Sequence, residues 1–216
     1  MIETIHKEAV KIVLASKEPT DNGTANTKRN VTITNEQTID AFMTDEDDYA
    51  FNNGLIDENS LDHKIKNFRF IQQEWQDWKD GLAKGESKSQ HEYPEHWKGS
   101  FDAYCYSDRF GKYLTNQIEN IKSSPESRQN FLAIWTKEDE GNAAIPCTIG
   151  YNIQVVDKVA YCSFVYRSVE VAYNFVNDLW LNKEYIKMAI KDMDIDKVNV
   201  TYFILNAHRY PKEWDT

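Results

Sequence analysis

Four runs in the second half of the chain constrain its fold more than anything else: NFLAIW, CTIGYNIQVV, VAYCSFVYR and KVNVTYFILNAH. All are rich in β-branched and aromatic residues and read as strands. The stretch VVDKVAY joins the second to the third as a turn, and a long helix fills about 171–191 before the fourth. Upstream the period changes. Ile2, Ile5, Ala9, Ile12 and Val13 recur at helical spacing over 2–15. Residues 60–80 form a second helix, with Ser60 as N-cap and Gly81 as stop, and Ile65, Phe68, Ile71, Trp75 and Trp78 on one stripe. A third helix from about Ser107 to Ile121 uses Phe110, Leu114, Ile118 and Ile121. EPTDNGTANTKRN (18–30) reads as a loop, VTIT as a short strand, TDEDDYAFNNG (44–54) as an acidic loop on a solvated surface, and KGESKSQHEYPEH as a polar loop. No internal repeat, low-complexity tract or proline-rich linker divides the chain. The expectation is one α+β domain over 1–216, a mixed sheet packed with helices.

Charge narrows the partners. The formal net charge is −10 over 216 residues, which repels duplex nucleic acid unless basic residues cluster. An anionic ligand should therefore be small and held by a few placed arginines, and only Arg29, Arg69, Arg109, Arg128, Arg167 and Arg209 are available. No apolar run is long enough to span a membrane, and the N-terminus lacks signal-peptide character, so a cytoplasmic protein is expected. Cys105, Cys147 and Cys162 have no metal-type spacing and read as free thiols in a reducing compartment.

Several residue types then suggest chemistry. Cys147 follows a proline at the mouth of a strand, whereas Cys162 lies in an apolar alternation and reads as a core thiol. A reactive thiol needs a nearby cation or donor to lower its pKa from about 8.5. Arg128 precedes a strand. Arg167 ends one with Ser168 beside it, a forked donor plus a hydroxyl suited to phosphate. His208 and Tyr210 leave the last strand on one face, either to bind a sugar hydroxyl or to reach water. Glu74 shares the apolar stripe of the 60–80 helix, where its pKa should rise into the range useful for proton transfer. Asp178 sits in NFVNDLWL among Phe175, Val176, Leu179, Trp180 and Leu181, at a surface break or in a site.

The order of these residues resembles the thymidylate synthase superfamily. The pattern runs from SPESRQNFLAIW through Pro-Cys, a hairpin and Arg-Ser to HRY, with FIQQEW and HWKGSFDAYCY upstream. It spans a core of 68–210 and is weak over 1–67. The resemblance implies that family's fold, with a sheet face forming a homodimer interface. It implies a cysteine thiolate adding to C6 of a pyrimidine nucleotide, and 5,10-methylenetetrahydrofolate as co-substrate, with no metal. Carried over, Cys147 is the nucleophile and Glu74 organises proton transfers through water. Arg167 and Ser168 hold the 5′-phosphate, and Arg128 reaches the phosphate of the neighbouring subunit. His208 and Tyr210 bind the deoxyribose 3′-hydroxyl. Trp97 lines the folate side, Tyr104 lies near the base and Cys147, and Glu170 stands where a folate-binding aspartate is usual. The chain departs from the pattern at Gln129, where a second arginine is usual, and at Cys105 and Asn174, where glycines are common. Arg29 or Lys28 is the nearest counterpart of the N-terminal phosphate-loop arginine.

Asp178 occupies the position of an asparagine that in synthases reads uracil. Cytosine reverses the donor and acceptor at N3 and the 4-substituent, and a carboxyl group answers it directly. Asn177-Asp178 and Cys147-Thr148 both resemble the deoxycytidylate hydroxymethylase branch of T-even-like phages, making Thr148 a substrate-side residue. That branch quenches the exocyclic methylene with water to give 5-hydroxymethyl-dCMP. The alternatives are a dCMP methyltransferase, a divergent synthase acting on dUMP, and a degenerate homologue that binds nucleotide or a partner.

Overall fold

The computed structural model describes residues 1–18, 26–53, 106–141, 145–172 and 174–210. The expected helix at 60–80, with Glu74, and the segment bearing Trp97, Tyr104 and Cys105 lie outside the described residues. Eleven elements follow in chain order: α1 (Ile2–Leu14), β1 (Asn26–Thr38), α2 (Ile39–Met43), α3 (Asp47–Asn53), α4 (Tyr106–Ser123), β2 (Phe131–Ala133), a 3-10 turn (Lys137–Asp139), β3 (Thr148–Val156), β4 (Val159–Glu170), α5 (Asn174–Ala189) and β5 (Lys197–Arg209).

The strands form one mixed sheet in the order β1-β5-β4-β3-β2. Only β4 and β5 run parallel. They need a crossover, which α5 supplies. β3 and β4 are joined by the two-residue turn Asp157-Lys158, both at positive φ (49° and 63°). Two such residues make the tight turn whose twist matches a hairpin.

Alternation decides the two faces. On β5, Val198, Val200, Tyr202 and Ile204 are buried, as are Cys162, Phe164 and Tyr166 on β4. They pack beneath α5 through Phe175, Val176 and Leu179, with Phe164 stacked on Tyr202 at 5.2 Å. α1 buries Ile2, Ile5, Ala9 and Val13 in the same core. The opposite face carries Phe131, Val156, Tyr161, Phe203 and Leu205, all exposed, and the strand registers put them on one side.

Two expectations are corrected. Residues 26–30 are not loop: β1 begins at Asn26 and pairs antiparallel with β5 from Arg209 onward. Its polar composition is that of an edge strand facing water, which alternation between Thr27, Val31 and Ile33 supports from below. The acidic stretch is not a solvated loop. Asp47–Asn53 is helical, Ala50 is buried, and the Glu46 carboxylate lies 2.9 Å from Lys183 Nζ and 2.7 Å from the Met1 amino group. Net acidity hid a residue whose cations lie far away in sequence.

Candidate active site

Cys147 sits just before β3, where Trp135 and Arg167 fix the approach. The Trp135 indole donates to Pro146 O at 2.9 Å, and the Arg167 backbone N–H donates to Cys147 O at 2.7 Å. Sequence reasoning gave Trp135 no role, although a tryptophan closing the NFLAIW run was visible. β3 is then bulged. Thr148 pairs with Tyr166, but Gly150 already pairs with Val165, one residue out of step. In a regular strand residues 148 and 151 would face opposite sides; the bulge turns Thr148 to the inner face with Tyr151. Gly150 permits this. A Cβ there would lie 2.5 Å from the Phe131 ring and 2.7 Å from Leu132 O.

The arginine expected near the thiol is present. Arg167 Nη2 lies 3.9 Å from Cys147 Sγ and 3.4 Å from Ile145 O. Its Nε is buried without a partner, and among the described residues it makes no ion pair. The thiol nevertheless titrates above the usual cysteine range. Burial raises it most and the Asp178 charge adds to that, while Arg167 opposes both. The cation alone does not produce a thiolate in the ligand-free protein. Cys162 is buried in the core, as expected, and its thiol is pushed far up by burial.

Ser168 and His208 come together from neighbouring parallel strands, with Ser168 Oγ 3.2 Å from His208 Nδ1. The His208 and Tyr210 rings meet edge to face at 5.3 Å. Burial raises the Tyr210 hydroxyl, and the charges of Glu170 and Cys147 raise it further, so it lies within electrostatic reach of both. Arg128 is exposed in the turn before β2, and no described contact joins it to Cys147.

Glu170 is buried, and its carboxylate accepts from the backbone N–H of Ala172 (2.9 Å) and of Asn174 (3.1 Å). It thereby holds the start of α5, where a carboxylate also complements the helix dipole. Asn174, unusual by its sequence context, is the helix's first residue and one of these donors. From α1, His6 Nε2 lies 2.9 Å from Val171 O while Nδ1 lies 2.8 Å from the Tyr49 hydroxyl. The turn between Arg167-Ser168 and α5 is thus tied at both its donors and its acceptors.

Asp178 follows on α5, half-buried between the buried Asn177 and Leu179. Burial pushes its carboxyl from 3.8 up to about 7. Among the described residues it makes no hydrogen bond or ion pair, although its charge is felt by Cys147, Tyr151, Tyr166 and Tyr202. The structure therefore groups Cys147, Arg167, Asp178 and Tyr210 through distances and mutual charge effects, with Ser168 and His208 beside Arg167. Such a group offers a thiol, a guanidinium without a carboxylate partner among the described residues, and a carboxyl that gains or loses its proton near pH 7.

The family described as thymidylate synthase matches residues 59–216. The crystal structure of thymidylate synthase from T4 phage superposes with a TM-score of 0.63, covering 95% of this chain and 75% of that chain at 14% identity, a likeness of fold. No curated protein sequence matches the chain.

Proposed function

The chain belongs to the thymidylate synthase family, whose members move a one-carbon unit from methylenetetrahydrofolate to a pyrimidine nucleotide, and from that premise we propose that it is a deoxycytidylate 5-hydroxymethyltransferase. The observation that carries this reading is the carboxyl of Asp178, unpartnered among the described residues and raised to about 7, so that it exchanges its proton readily near neutral pH. A neutral carboxyl donates its proton to cytosine N3 and accepts from the 4-amino group. An ionised Asp178 accepts from the uracil N3–H with one oxygen but sets the other against O4, two acceptors with no proton between them, whereas with cytosine one proton shared with N3 and one from the 4-amino group satisfy both oxygens.

In the proposed reaction Arg167 and Ser168 grip the 5′-phosphate, while His208 and Tyr210 take the 3′-hydroxyl. Cys147 adds through sulfur to C6, and C5 becomes the nucleophile. Methylenetetrahydrofolate would supply a carbon at the oxidation level of formaldehyde, which bonds to C5 as its two bonds to the folate nitrogens break and tetrahydrofolate leaves. The C5 proton leaves, water adds to the exocyclic carbon, and the C6–S bond breaks to return the thiol. No electrons are exchanged with folate in that sum. Nucleotide binding also helps the thiol: a protonated Asp178 hydrogen-bonded to the base no longer repels a thiolate. Glu74 is proposed for the water-mediated proton transfers, Tyr104 for the base side and Trp97 for the folate side.

Glu170 fits a folate role only in part, because its carboxylate already serves the start of α5. The exposed apolar sheet face supports a homodimer, with Arg128 offered to the partner's phosphate. Sedimentation of the wild-type protein at micromolar concentration tests this, and a monomer that turns over substrate refutes the shared site.

The decisive assay uses methylenetetrahydrofolate with dCMP or dUMP tritiated at C5. Tritium release from dCMP alone, with a product heavier by one hydroxymethyl substitution, supports the proposal. Release from dUMP alone refutes the base assignment, and a methyl product refutes the water quench.

A further inference from the structure

The segment that presents Cys147 is held by three successive carbonyls. Ile145 O accepts from Arg167 Nη2 at 3.4 Å, Pro146 O from the Trp135 indole N–H at 2.9 Å, and Cys147 O from the Arg167 backbone N–H at 2.7 Å. Pro146 is buried and has no N–H, so its carbonyl is its one backbone hydrogen-bonding group. Two of the three ties belong to Arg167, and one of those is conditional. The guanidinium that meets Ile145 O, and lies 3.9 Å from the thiol, is the group that the proposed reaction sends to the 5′-phosphate. The Trp135 tie is not drawn on in that way.

Trp135 is itself fixed on both sides. Its backbone N–H and that of Ile134 both donate to Ile149 O, at 3.2 and 2.9 Å. The β3 bulge skips Ile149 in the pairing with β4, and its carbonyl serves the chain leaving β2. After Trp135, the Thr136 N–H donates to the buried Asp139 carboxylate at 2.8 Å and closes the 3-10 turn. The chain leaving β2 and the start of β3 are therefore joined twice: from the main chain at Ile149, and from the indole at Pro146.

Building on the proposed function, we infer that Trp135 is a positioning residue for the nucleophile: its indole N–H keeps the Pro146–Cys147 peptide in place when the Arg167 guanidinium turns from Ile145 O and the thiol to the phosphate. Its effect falls on the addition of sulfur to C6 and not on nucleotide binding, because Arg167, Ser168, Asp178 and His208 stand on β4, α5 and β5, apart from this tie. A misplacement of about 1 Å at the sulfur costs roughly a hundredfold in rate.

Trp135→Phe keeps an aromatic ring and removes the N–H. The kcat for tritium release from C5-tritiated dCMP should fall at least about tenfold, while the Kd for dCMP, from calorimetric titration without folate, stays within about threefold of wild type. Iodoacetamide probes the thiol without requiring alignment to a base. Cys147, followed by peptide mass spectrometry, should be alkylated at least as fast as in wild type, with the buried Cys162 unmodified as the control for folding. In the free protein the Arg167 amide should exchange with solvent at least about tenfold faster, since its acceptor, Cys147 O, is loosened. An unchanged kcat, a loss of affinity as large as the loss of kcat, or alkylation that slows in step with kcat each overturns the inference. So does an Arg167 amide that keeps its protection. If Trp135→Phe does not fold, benzothienylalanine in place of Trp135 keeps the bicyclic ring without the N–H and takes the same measurements. A wild-type protein that releases tritium from dUMP alone refutes the base assignment, and the comparison is then made with dUMP. Release from neither nucleotide refutes the proposed function itself, and the Arg167 amide then decides the inference.

Discussion

Two regions on one helix treat buried charge in opposite ways. Toward its C-terminal end α5 carries Lys183, only 2% exposed, which donates to Glu46 at 2.9 Å and to Thr44 O at 2.7 Å and lies over the Phe42 ring. Burial pushes Glu46 up, but hydrogen bonds from the Met1 amine and from Lys183 outweigh it and leave its carboxyl below the usual range. Little more than a turn away, Asp178 is desolvated with no partner among the described residues, and its carboxyl rises to about 7. The difference separates structural from functional burial. A desolvated charge with partners joins elements; one without them carries a cost that binding can recover.

Removing the reactive group should produce the largest effect. Cys147→Ala should lower tritium release from dCMP by at least about 10⁴-fold while leaving the thermal unfolding midpoint nearly unchanged. A residual rate within a hundredfold of wild type would show that the open region does not work through this thiol. The paired region should answer in the reverse sense. Lys183→Met leaves Glu46 without its α5 partner and should cost about 3–5 kcal/mol in denaturant unfolding. A loss below about 1 kcal/mol would mean that the pair merely fills space.

The pH response sharpens the contrast further. The Asp178 carboxyl titrates higher in the folded than in the unfolded chain. Its favourable contribution is complete below about pH 4 and is lost as pH rises through about 7. Asp178→Asn cannot ionise, so it should be more stable than wild type by up to about 4 kcal/mol at pH 8 and by about half that at pH 5. It should also move base preference toward dUMP. Glu46 has the opposite sign: its contribution is present above its ordinary pKa and lost as pH falls. Parallel pH profiles for Asp178→Asn and Glu46→Gln would erase the distinction between the two regions.

These two regions were not equally legible. The strands of the second half announced themselves because β3, β4 and β5 each bury one face, and alternation survives in the sequence. The candidate residues Cys147, Arg167, Ser168, Asp178, His208 and Tyr210 were singled out by their order along these strands and the helix α5 between them. β1 was read only at its centre, VTIT, because its flanks are a polar edge, and the Glu46 pair was missed because its partner is 137 residues away. Neither leaves a local pattern.

His6 joins the two regions, and the smallest predicted effect falls on it. Its ring reaches from α1 to the carbonyl of Val171, in the turn that leads from Arg167-Ser168 to the helix of Asp178. Nδ1 meets Tyr49 on α3, beside the Glu46 cluster. Burial lowers its pKa, although the Val171 and Ala172 carbonyls and Glu170 pull it back up. A histidine lowered in this way contributes fully above its ordinary pKa of 6.5, and that contribution is lost as pH falls through the folded value. His6→Ala should therefore cost about 1–2 kcal/mol at pH 8, from one lost hydrogen bond and an orphaned carbonyl, and less at pH 5. The Ala172 and Asn174 amides, held by Glu170, should exchange faster with solvent in the variant at pH 8. If those amides keep their protection while global stability falls, His6 belongs to the paired region alone, and the site's turn stands on Glu170 without it.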